Sequence, residues 1–170
     1  VIDLAPENIT LHTLSVKRSS QLGQHAKSFY LSFKTDRDVN IAKLPLALNV
    51  RLPEDIKVMS AQVVPDDFHA RYNCRGKEYV YLIHNSEIRN PFYEDTLYRS
   101  WYPIDDKKLN IACKDFIGTH DFKSFCSTDT DKVGTVRTVY DFNVQRERDI
   151  VKFTVSGDGF LYNMVRIMVG

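Results

Sequence analysis

Few side chains in this sequence are placed for chemistry, and the foremost is Arg166. It stands in Gly157-Asp-Gly-Phe-Leu-Tyr-Asn-Met-Val-Arg-Ile-Met-Val-Gly170, where Leu161, Met164, Val165 and Met168 recur at helical spacing. A guanidinium cannot shed its proton and is expensive to desolvate. In an apolar helix it therefore either snorkels to water or meets a carboxylate or phosphate in a cleft. The second candidate is Tyr79, in Lys77-Glu-Tyr-Val-Tyr-Leu-Ile-His-Asn85, where Tyr79, Tyr81 and Ile83 alternate onto one face of a strand. Arg71, Arg75 and Lys77 gather beside that strand, within reach of phosphates or simply solvated. His120-Asp121 has the residue types of a charge relay, but no suitably placed nucleophile accompanies it.

Other chemistries are disfavoured. Cys74, Cys113 and Cys126 form no CxxC pair, and the five histidines show no metal spacing with them, so no metal site is expected. Reduced thiols in the cytosol are the economical reading of the cysteines. A net charge of +1 means that any phosphate binding must come from a local basic patch. An apolar share of 43% and a charged share of 26% fit a soluble globular protein, and no run of residues reaches the length of a membrane span.

The elements that must position these groups follow from pattern. Strands are expected at Ile9–His12, Ser28–Thr35, Ile56–Val64, Lys77–Asn85 and Tyr98–Tyr102, with Val58, Ala61 and Val63 turned inward on the third. Residues 1–8 read as the end of a helix closed by Pro6 and Asn8. Asn40 caps a short helix over Ile41–Asn49, in which Pro45 tolerates only the first turn or a kink. Asp105 or Asp106 caps the clearest helix, Lys107–Ile117, with Gly118 ending it. Residues 126–134 form a polar loop, and Arg137–Gln145 and Ile150–Ser156 pair as a hairpin around Glu147-Arg-Asp149. Gly157-Asp158-Gly159 supplies a tight turn into the Arg166 helix, its glycines free to take positive φ. With no βαβ signal and no glycine-rich phosphate loop, the fold class is α+β with an antiparallel sheet.

The terminal stretch resembles the third motif of the bacterial TruA-type tRNA pseudouridine synthases. Phe68-His-Ala-Arg71 followed by Lys77-Glu-Tyr79-Val-Tyr81 resembles their second motif, and His120-Asp-Phe-Lys-Ser-Phe125 resembles a loop whose aromatics buttress the cleft. The resemblance runs from about Glu7 to Gly170 and implies ferredoxin-like halves sharing an antiparallel sheet, with helices on one face and a basic cleft above it. It divides the chain into the remainder of an N-terminal half, residues 1–65, and a C-terminal half, residues 66–170, carrying the Tyr and Arg motifs. It also implies the isomerisation of uridine to pseudouridine in the anticodon arm of tRNA, at tRNA positions 38 to 40, without cofactor or metal, by a cytoplasmic homodimer. The family's arginine, here Arg166, pairs with the catalytic aspartate. The first tyrosine of the second motif, here Tyr79, stacks on the uracil and is implicated as the base that removes a proton. Tyr81 is read as packing the sheet.

One departure qualifies this. The family's first motif holds the nucleophilic aspartate, whereas this chain reads Thr13-Leu-Ser-Val-Lys-Arg-Ser-Ser-Gln21, without a carboxylate. Sliding the register places Ser20 at that position, and a hydroxyl with no base beside it is no substitute. A reading-frame error confined to this block, an inactivated copy, and replacement by Asp36 or Asp3 are the explanations open. An inactive enzyme of this family is the reading adopted, with a non-catalytic tRNA-binding module as the alternative. Val1 in place of Met, and Gly170 directly after helical residues, suggest a piece of a longer protein.

Overall fold

In the computed structural model of the chain, residues 7–15, 25–94, 96–127 and 134–170 are described. The block 16–21, Asp3 and most of the polar loop expected over 126–134 lie outside them. The chain forms two compact units, Val1–Cys74 and Arg75–Gly170.

The first unit is an antiparallel sheet in the order β2-β1-β3, built from β1 (Glu7–Ser15), β2 (Ala26–Thr35) and β3 (Ile56–Val64), with α1 (Leu44–Asn49) beside it. Glu7 and Asn8 already belong to β1, so the helix end expected over residues 1–8 does not include them. Pro45 falls in the first turn of α1, where its missing N–H would have had no partner anyway. Asn40 caps the turn before the helix, its Oδ1 accepting from the Lys43 amide at 3.2 Å. Ile9, Leu11 and Val58 are buried, with Leu44, Leu48 and Ala61 packed against them. The pairing of β1 with β3 slips by one residue opposite Met59, which puts Val58 and Ala61 on one face despite their odd spacing. Val63 is 53% exposed, against the inward placement expected for it, on an edge strand of the sheet although it stands opposite buried Ile9.

The second unit is a five-stranded sheet in the order β5-β4-β8-β7-β6, made of β4 (Lys77–Asn85), β5 (Tyr98–Ser100), β6 (Gly118–Asp121), β7 (Val136–Glu147) and β8 (Ile150–Gly157). Pairing is antiparallel except at the edge, where β5 runs parallel to β4. The twelve residues 86–97 between them, with a 3-10 turn at Pro91–Tyr93, are long enough for such a crossover. β8 alternates cleanly, Val151, Phe153 and Val155 facing the core. Helix α2 (Asp106–Cys113) and helix α3 (Met164–Val169) contribute Leu109, Met164 and Val165 to that same core and therefore share one face of the sheet.

Two side chains lock α2 in place. Asp105 is its cap, accepting from the Lys107 and Lys108 amides at 3.1 Å each. Asn110 exchanges a hydrogen-bond pair with the Val144 backbone, receiving from its N–H at 2.8 Å and donating to its C=O at 2.6 Å. The α-helix ends at Cys113 and tightens into a 3-10 turn over Lys114–Phe116, before Gly118 takes a φ of +114°.

Gly157 and Gly159 differ from expectation: neither is among the positive-φ residues of the described chain. Gly157 ends β8, and a Cβ there would lie 2.7 Å from the Thr138 carbonyl oxygen. Close approach of two backbones, not handedness, demands the glycine. The left-handed residue of this stretch is Asn163 (φ 59°), at the start of α3.

Candidate functional site

Tyr79 sits on β4 directly opposite Val155 of β8, and Tyr81 opposite Phe153. Directly paired residues of an antiparallel ladder point to the same side, so both phenols lie on the face that carries the core and α3. Tyr79 is 40% exposed at the margin of that core, and its ring meets Phe160 edge-on, with centroids 5.1 Å apart. Tyr81 is more enclosed. Burial pushes its phenol above the usual value, an effect partly offset by the Arg166 charge. The guanidinium belongs to α3, whose Met164 and Val165 pack into the core on that same side of the sheet. Arg166 itself is half-buried in α3.

The three basic residues singled out with them are distributed differently. Arg75 and Lys77 belong to the second unit and are exposed, Lys77 opening β4 opposite Gly157. Arg71 belongs to the first unit, with its guanidinium 6.0 Å from the centre of the Tyr72 ring.

His120 and Asp121 do not form a relay. They are consecutive residues of β6, so their side chains leave opposite faces. His120 Nε2 lies 3.0 Å from the Ile117 carbonyl oxygen, while Asp121 accepts from the Lys123 amide. A hydrogen bond from Thr135 and that amide hold the Asp121 carboxyl below its ordinary value. Cys113 is buried in the core, which pushes its thiol up and away from nucleophilic use.

Two features escape a reading of the sequence. His84 is buried on the face of β4 opposite the tyrosines, its Nε2 2.8 Å from Asp149 Oδ2, across 65 residues of chain. It opens onto a groove of about 290 Å³ shared with Arg89, Tyr93, Leu97 and Arg99, and Arg89 pairs with Glu94 there. The other is Arg137, a half-buried cation at the start of β7 on the tyrosine face. No metal-like grouping of three or more His, Cys, Asp or Glu occurs among the described residues. No helix among them is long and apolar enough to cross a membrane.

A partly exposed phenol, a second aromatic ring and a helix bearing a guanidinium thus share one face of the sheet. Such a site can hold a planar ring by stacking and can stabilise an anion beside it.

A family model described as tRNA pseudouridine synthase matches residues 112–170. The chain is 40% identical over 148 residues to tRNA pseudouridine synthase A of Thermoanaerobacter sp. (strain X514), covering 87% of this chain and 61% of the relative. It is 42% identical over 147 residues to the protein of that name from Staphylococcus aureus (strain MRSA252), covering 86% and 56%. With the same-named protein of Listeria monocytogenes serotype 4a (strain HCC23) it shares 42% identity over 149 residues, covering 87% and 60%. The chain thus spans roughly three fifths of the length of these relatives.

Proposed function

From the premise that this chain belongs with the TruA-type tRNA pseudouridine synthases, we propose that it is the part of such an enzyme that grips tRNA and holds the target uridine against Tyr79. The observation that carries this reading is the placement of Tyr79 and Arg166 on one face of one sheet, in a chain similar to tRNA pseudouridine synthase A over 87% of its length. The reaction is an isomerisation. The bond from ribose C1′ to uracil N1 breaks, the ring turns, C1′ bonds to C5, the C5 proton leaves to a base, and N1 takes up a proton.

Each residue has a role in that sequence. A base removed from its stack needs a replacement surface, and the Tyr79 ring supplies one. Its phenol then faces the ring that must lose a proton. A nucleophilic carboxylate must stay ionised in a partly dry pocket, which a cation within about 4–6 Å favours, and this is the task of Arg166. Arg71, Arg75 and Lys77 are assigned to the RNA backbone. The substrate is tRNA at positions 38 to 40, the working form a cytoplasmic homodimer, and the two units are the two halves of the synthase fold. No cofactor enters the chemistry.

Spanning about three fifths of its relatives' length, this chain is expected to bind tRNA weakly, and because residues 13–21 offer no carboxylate it is expected to leave uridine unmodified. Tritium release from tRNA labelled at uracil C5 tests it, and turnover above background would overturn the inactivity. The same missing carboxylate favours a second reading, a non-catalytic tRNA-binding module. Salt-sensitive tRNA binding that is unchanged by Tyr79→Ala and never accompanied by modified base would favour the module.

A further inference from the structure

We infer that Arg137, together with Lys77, is a phosphate-gripping residue that holds the RNA backbone on the Tyr79 face of the second unit's sheet. This rests on the proposed tRNA-binding reading and adds to it a residue and a side of approach.

Register fixes the face. Lys77 is opposite Gly157, Gly157 is opposite Val139, and Lys77 lies two residues before Tyr79 on the same strand. Arg137 lies two residues before Val139, which is buried in the core, and the irregularity of β7 comes only after Val139. With a period of two, Arg137 shares the side of Val139, Tyr79 and α3.

The guanidinium is continuous with the aromatic pair. A Cβ added to Gly159 would sit 3.7 Å from Arg137 Nε and 3.8 Å from its Cδ, so this side chain lies along the turn. Phe160 follows immediately and stands against Tyr79. From the cation to the stacking ring, the wall is the turn itself.

Its hydrogen bonding leaves donors in place for a ligand. Nη1 donates to the carbonyls of Gly134 at 2.7 Å and Val136 at 2.6 Å, which fixes the plane of the group. Among the described residues, Nε and Nη2 have no hydrogen-bond partner. The neighbouring carboxylate of Asp158 accepts from the Thr138 amide at 3.0 Å and forms no ion pair with Arg137 among the described residues. A planar fork, anchored on one arm and open on the other, suits a phosphodiester. Extruding a base from its stack requires the flanking backbone to be held, and backbone contacts set register without reading sequence.

The test is fluorescence anisotropy with a labelled, unmodified tRNA transcript, over KCl from about 50 to 200 mM. Arg137→Gln is expected to bind about tenfold more weakly, with the slope of log K against log salt reduced by about 0.7–1 and the melting temperature unchanged. Arg137→Lys should retain the slope while losing part of the affinity. A wild-type slope in Arg137→Gln, with or without a fall in melting temperature, would overturn the assignment and make Arg137 a structural staple of the strand entry. Absence of salt-dependent binding by the unsubstituted chain would overturn the tRNA-binding reading itself, and this assignment with it.

Discussion

The ring of Tyr79 stands at 79° to that of Phe160, with centroids 5.1 Å apart. Phe160 thereby bounds the partly exposed ring on one side. Edge-to-face pairs contribute about 0.5–1.5 kcal/mol beyond the area they bury. Phe160→Leu keeps an apolar side chain and removes the ring, so stability in urea should fall by about that amount. An unchanged midpoint and slope would mean that the pair contributes nothing to the fold.

Gly157 offers a sharper structural test. A methyl group there would meet the Thr138 carbonyl oxygen at 2.7 Å and the tip of the Phe160 ring at 3.3 Å. The first contact is with backbone, which cannot step aside. Gly157→Ala is expected to destabilise the chain by about 1–3 kcal/mol. Gly159→Ala should be close to neutral, since the nearest atom to its methyl group is 3.7 Å away. Equal melting temperatures for the two variants would contradict the steric account.

These glycines show what the sequence discloses and what it withholds. Alternation in Lys77–Asn85 placed Tyr79, Tyr81 and Ile83 on one side, and the ladder to β8 has them there. A cap at Asp105 or Asp106 was legible, and the structure assigns it to Asp105, because capping is a local matter between a side chain and amides two and three residues on. Gly157 was legible as a special position, but its reason was not, because the Thr138 carbonyl it must clear is nineteen residues earlier. Nothing in the sequence paired His84 with Asp149, or announced the slipped pairings at Met59 and Tyr140. Those depend on which strands become neighbours. Arg137 was read merely as the first residue of a strand, because its partners are its own loop's carbonyls and a turn that folds onto it from β8.

Tyr81 reports on Arg166. Burial raises its phenol, and the Arg166 charge pulls it down. Removing the charge in Arg166→Met should therefore move the Tyr81 titration upward, as read from the Cζ resonance of labelled tyrosine. A phenol raised in the folded state contributes stability fully present below the unfolded value of about 10, and that contribution disappears as pH climbs through the folded value. Tyr81→Phe should accordingly lessen the alkaline loss of stability. A downward or absent shift in Arg166→Met would place the guanidinium away from β4.

The aromatic role of Tyr79 separates from its hydroxyl by comparing two substitutions. Stacking of a base on an aromatic ring is worth about 1–3 kcal/mol. Tyr79→Ala should then weaken tRNA binding about 5- to 150-fold, because the exposed ring is lost, while Tyr79→Phe retains the ring and should bind nearly as the parent does. The hydroxyl enters only when a proton must be moved. In a chain carrying a carboxylate at the position now held by Ser20, tritium release should fail for Tyr79→Phe although its binding survives. If Tyr79→Ala binds tRNA as tightly as Tyr79→Phe, no base rests on this ring, and this face of the sheet is not where the uridine goes.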